Sequence, residues 1–178
     1  MSELYDRIVS QRGEFEKLLA RIPGFRGYLE KATRRTADRM LREYIADLLA
    51  RRISRLVQLE RRLLDQGGLS YMSQTSSVKL KLHTYRDRVA AAMPGYSAFD
   101  SAVKINEQEL ETIYSFDEAL ITYVDRIDSA LDALEKAIAE NMGVEAAIAD
   151  IDALSVEANE AFSLREQVLT NLDQSLMQ

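Results

Sequence analysis

Residues 120–138 read LITYVDRIDSALDALEKAI. Leu120, Val124, Ile127, Leu131, Leu134 and Ile138 alternate spacings of four and three through this stretch, a coiled-coil-like seam on one face of a helix. The periodicity predicts a helix from about Glu107 to Asn141, and Asn106 with Glu109 has the spacing of a capping box at its start. Gly143 follows, and then a second periodic run: Ile148, Ile151, Leu154, Phe162, Leu169, Leu172 and Leu176. That run predicts a helix from about Val144 to Leu176. So short a link between two long helices forces them antiparallel. This hairpin decides the fold.

Working back toward the N-terminus, the pattern stays helical. Leu41, Ile45, Leu48, Ile53, Leu56, Leu59 and Leu63 predict a long helix from about Lys31 to Gln66, capped by Thr33 or Thr36 and stopped by Gly67-Gly68. Leu80, Leu82, Tyr85 and Val89 predict a shorter helix over Val78 to Met93, after a polar loop or frayed turn at Ser70 to Ser77. Leu4, Ile8, Phe15, Leu18, Leu19 and Ile22 predict a first helix from Ser2 to Ile22, weakened at Gly13. The reading is an all-α, elongated antiparallel helical bundle of about five helices, with coiled-coil-like long helices, in one domain spanning 1–178.

Two turns look alike. Pro23, Gly24, Phe25 and Tyr28 share a Pro-Gly-aromatic-x-x-aromatic pattern with Pro94, Gly95, Tyr96 and Phe99. Each follows a shorter helix and precedes a longer one. The pattern suits a chain reversal whose aromatics fold back on the end of the bundle.

Charge is divided along the chain. Residues 1–90 hold 19 Lys/Arg against 11 Asp/Glu, and residues 91–178 hold 4 against 18. The net −6 of the 178 residues conceals this split between basic helices in 1–93 and an acidic hairpin in 107–176. The basic side centres on Arg34, Arg35, Arg42, Arg51, Arg52, Arg55 and Arg62, a candidate surface for an anionic partner, because the guanidinium fork matches phosphate and carboxylate. Glu43, Asp47 and Glu60 interrupt it. No aromatic side chains alternate with these arginines for base stacking, which argues against nucleic acid; a peripheral contact with an anionic membrane is the stronger of the two anionic readings. The other target is the acidic hairpin itself, within the chain or across subunits.

Chemistry-bearing motifs are sparse. There is no cysteine, which removes thiol nucleophiles and Cys-based metal sites. His83 is the only histidine, and no Glu-x-x-His pair of the di-iron bundles occurs. Acid pairs at helical spacing, Glu107/Glu111, Asp128/Asp132 and Glu157/Glu160, leave a carboxylate-bridged metalloprotein as an alternative. No phosphate-binding loop or nucleophile elbow is present, so no cofactor is expected. Glu3 and Asp6 lie where a signal peptide would be basic and then apolar, giving an expectation of a cytoplasmic protein. The expected function is structural or adaptor-like, through self-association or docking to another protein.

Overall fold

The structure, a computed structural model, describes residues 2–11, 15–92 and 105–176. Among these, six α-helices form: α1 (Glu3–Ser10), α2 (Phe15–Arg21), α3 (Lys31–Asp65), α4 (Met72–Ala91), α5 (Glu107–Glu140) and α6 (Val144–Leu176), with a 3-10 turn at Leu69–Tyr71. With its 35 residues, α3 is about 52 Å long.

The four long helices make the bundle. Helix α3 packs on α4 and α5, and α6 packs on the same two, so the order around the bundle is α3, α4, α6, α5. Ion pairs give the directions. Arg55 meets Asp128 and Arg62 meets Glu135, so α3 and α5 are parallel. Lys79 of α4 meets Glu60 and the Ala90 carbonyl meets Arg42, which makes α3 and α4 antiparallel. Lys81 with Asp152 and Arg88 with Glu166 set α4 parallel to α6. All six seam residues of α5 are buried. Each large aliphatic side chain so buried contributes about 1.5–3 kcal/mol.

Helix ends follow local chemistry. The Asn106 carboxamide accepts from the Glu109 N–H, and the Glu109 carboxylate accepts from the Asn106 N–H, completing the capping box. The α5–α6 link turns through Asn141 (φ 52°) and Gly143 (φ 75°). At the end of α3, Gly67 takes φ 82° while its N–H and that of Gly68 reach the carbonyls of Leu64 and Leu63. That is a Schellman closure, for which glycine is the usual residue.

Several expectations need correction. The first helix is two: α1 lies on α5 and α6, whereas α2 lies mainly on α5, and the Gln11 N–H closes α1 on the carbonyls of Ile8 and Val9. Gly13 lies outside the described residues. Ser70 to Ser77 is not a loop. Its residues form the 3-10 turn and the first turn and a half of α4, because Thr75 is buried and donates to Glu60 of α3 at 2.7 Å. Helix α3 begins at Lys31, its N-cap Glu30 makes no side-chain cap, and the Thr33 hydroxyl donates instead to the Glu30 carbonyl. Leu19 and Leu80 are exposed; the inward face of α4 is Thr75, Val78, Leu82, Tyr85 and Val89.

Candidate functional site: a closed ionic network

The segment from Ile22 to Glu30 runs between α2 and α3 with Gly24 (φ 79°) and Gly27 (φ 73°) in left-handed geometry. It carries Phe25 and Tyr28 into the core, edge-on to each other with centroids 5.8 Å apart. Pro94, Gly95, Tyr96 and Phe99 of the similar motif lie outside the described residues. Tyr28 also stacks on Tyr114, whose hydroxyl accepts from the Tyr28 N–H at 3.1 Å. A Cβ on Gly27 would press on that hydroxyl and lie 2.7 Å from the Phe15 ring.

Tyr28 is placed beside four buried charges. Its hydroxyl donates to Asp117 Oδ2 at 2.6 Å. The other oxygen of Asp117 accepts from Arg165 Nε at 2.7 Å. Arg165 Nη2 donates to Asp38 Oδ1 at 2.9 Å and to the Tyr28 hydroxyl at 3.3 Å. Asp38 Oδ2 accepts from Arg42 Nε at 2.8 Å, and Arg42 reaches the carbonyl of Ala90 at the end of α4. Tyr28, Asp38 and Asp117 have no exposed surface, and Arg165 has 1%. The network joins α3, α5, α6, the end of α4 and the α2–α3 segment. Its two carboxylates balance two guanidinium groups.

The two acids sit in different fields. Burial pushes Asp38 up, but Arg165 and Arg42 together outweigh burial and hold it below the ordinary carboxylate range. Burial pushes Asp117 up, and the single charge of Arg165 with the Tyr28 hydrogen bond does not fully offset it, so Asp117 stays above that range. Arg165 loses by burial and gains more from Asp117 and Asp38, so it is firmly charged. Tyr28 is pushed up by burial first and by Asp117 second. Nearby, the buried Tyr85 hydroxyl has no hydrogen-bond partner among the described residues.

The arginines picked out by sequence separate into groups. Arg34 and Arg42 are buried and therefore present no surface to an anionic partner: Arg42 holds Asp38, and Arg34 Nε donates to the Tyr28 carbonyl at 2.7 Å. Arg52 and Arg55 both meet Asp128 of α5; Arg55 also reaches Asp132 (2.5 Å) and Glu135 (2.9 Å), and Arg62 reaches Glu135 (2.5 Å). The basic helix therefore lies along the acidic one within this chain. Arg35 and Arg51 are exposed.

Other candidates resolve similarly. Asp128 and Asp132 share Arg55, and Glu157 is held by Arg7 and Arg126. His83 is half-buried on α4. Among the described residues, no three His, Asp or Glu side chains are grouped to hold a metal ion. No helix among them is long and apolar enough to cross a membrane.

Sequence reasoning passed over Tyr28, Asp38, Asp117 and Arg165 as members of one site. A signal was present. Asp117 is three residues before Leu120 and four after Ile113, on the seam's own phase; Arg165 lies three after Phe162 and four before Leu169; Asp38 lies three before Leu41. Each charge stands where the stripe calls for an apolar residue.

No protein-family model matches this chain, and neither a curated protein nor a solved structure matches it.

Proposed function

We propose that this chain is a helical scaffold that acts by self-association or by docking to other proteins through the outer faces of its bundle. The observation that carries this reading is the internal closure of its ionisable groups. The buried acids and arginines satisfy one another, and the arginines facing α5 are taken up by its acids. Such closure fixes register and leaves those groups no spare valence for a substrate. What remains for function is surface. Crosslinking mass spectrometry in native lysate tests this, with light scattering across a salt series for self-association. Crosslinks from α5 or α6 to a distinct protein, or a mass above the monomer, support docking. Intramolecular crosslinks alone, with a monomer at every salt concentration, sink it.

One observation favours a second reading, contact with an anionic membrane surface. Arg39, Arg51 and Arg61 on α3 are exposed and make no ion pair among the described residues. Glu43 and Asp47 stand exposed on the same helix and dilute the attraction. Co-sedimentation with phosphatidylserine vesicles, lost on Arg51→Glu, would favour this reading over protein docking.

A further inference from the structure

We propose that the outer groove of the α5/α6 hairpin, where it continues past the end of α1, docks a basic amphipathic helix of a partner protein; this rests on the docking reading above. Helix α1 shows how the hairpin takes a helix. It buries Leu4 and Ile8, sets Tyr5 against Phe116 with ring centroids 5.5 Å apart, and sends Arg7 to the Tyr123 hydroxyl and to Glu157. An apolar stripe with an arginine at its edge is thus already recognised across α5 and α6.

α1 stops at Ser10, but the groove does not stop with it. From Glu157 it runs on between Ala130 of α5 and Ala153 and Val156 of α6, as an open cleft of about 890 Å³. Its acidic residues on α6 run from Asp150 to Glu160, ten residues and therefore about 15 Å, the length of nearly three helical turns. Small side chains on its floor allow close approach of a helix, and Val156, half exposed, offers an apolar anchor.

The rim sets the chemistry of the occupant. Asp150 and Glu160 are exposed and make no ion pair among the described residues. Arg126 is the groove's one cation among its lining residues, and it is engaged with Glu157 and the Tyr123 ring. The groove therefore continues an established helix seat with unspent negative charge, which calls for lysine or arginine beside an apolar stripe. A second copy of this chain is a poorer occupant, because Glu43 and Asp47 interrupt the exposed arginines of its α3.

The test uses the full chain and two fluorescein-labelled synthetic peptides of leucine, alanine and arginine. One places leucines at i, i+3, i+4 and i+7. The other has the same composition scrambled to remove the stripe. Anisotropy is read at low and at physiological salt. The amphipathic peptide is expected to bind at least about ten-fold more tightly than the scramble. Ala153→Trp, at an exposed position that fills the groove, and Asp150→Lys/Glu160→Lys are each expected to remove that preference, while Glu43→Lys/Asp47→Lys keeps it. Circular dichroism of each variant confirms folding. Equal binding of both peptides, or binding unaffected by Ala153→Trp, overturns the groove. A concentration-dependent dimer abolished by Ala153→Trp overturns the partner class in favour of a second copy. If native crosslinks place a protein partner elsewhere while the groove takes no peptide, the groove fails and the docking reading stands. If neither is found, both fail.

Discussion

Arg165 Nε lies 2.7 Å from Asp117 Oδ1, and both side chains are buried. The same guanidinium also reaches Asp38, so one side chain of α6 ties α3 to α5. An ion pair so deep in a bundle is costly to desolvate and costlier to break. Removing one partner typically costs about 3–5 kcal/mol, whereas replacing the whole set by apolar residues can be neutral. The network accordingly specifies how the helices align more than it adds to stability.

Arg165→Met is expected to destabilise the protein by about 3–5 kcal/mol at neutral pH, read from urea unfolding. The loss should shrink toward pH 5. Asp117 already stands above its ordinary value when folded, and without Arg165 it rises further. A carboxyl whose folded value exceeds its unfolded one binds its proton more tightly in the native state. Its stabilisation is therefore full below the unfolded value and falls as pH rises through the folded one. Asp38 works in the opposite sense in the unaltered protein, where its depressed value contributes stability that is lost as pH falls. An effect of equal size at pH 5 and pH 7 would contradict this assignment.

Two tyrosines offer a matched comparison. Tyr28→Phe removes a hydrogen bond to a buried carboxylate and should cost about 1.5–3 kcal/mol. Tyr85→Phe removes a buried hydroxyl that has no partner, and should be neutral or stabilising by about 1 kcal/mol. Denaturant midpoints decide the order. If Tyr85→Phe proves the more damaging, the buried Tyr85 hydroxyl has a partner after all.

Glycines in the same backbone region should differ sharply. Gly67 has a positive φ and open space, so Gly67→Ala costs only the left-handed penalty, about 1–2 kcal/mol. Gly27→Ala incurs that penalty and also drives a methyl group into Phe15 and Tyr114, adding about 1–3 kcal/mol. Thermal melts of the pair give the difference. Equal costs would mean that the aromatic cluster yields freely.

Arg55 touches three carboxylates of α5, whereas Arg51 touches none among the described residues. Arg55→Ala should lower the melting temperature at low salt, and the deficit should close toward 1 M salt, where the screening length is about 3 Å. Arg51→Ala should leave the melting temperature unchanged at every salt concentration. Parallel salt series of the two variants check this.

The legible parts of this molecule were those written in short-range periodicity. The seam from Leu120 to Ile138, the capping box at Asn106, the hairpin link at Gly143 and the stop at Gly67 each depend on residues a few positions apart, and the structure places them there. The start of α4 was illegible because Thr75 is held in the core by Glu60, fifteen positions away.

The sequence by itself determined that long amphipathic helices would form and that α5 and α6 would fold back on each other, because apolar spacing and a glycine link act locally. Only the tertiary structure decided which charges went inside. Arg165 and Asp38 stand 127 positions apart and Arg165 and Asp117 stand 48 apart. Each stands on an apolar stripe, which marks it as unusual but does not name its partner. Burial becomes tolerable only when three helices bring opposite charges within hydrogen-bonding distance, and no local pattern encodes that meeting.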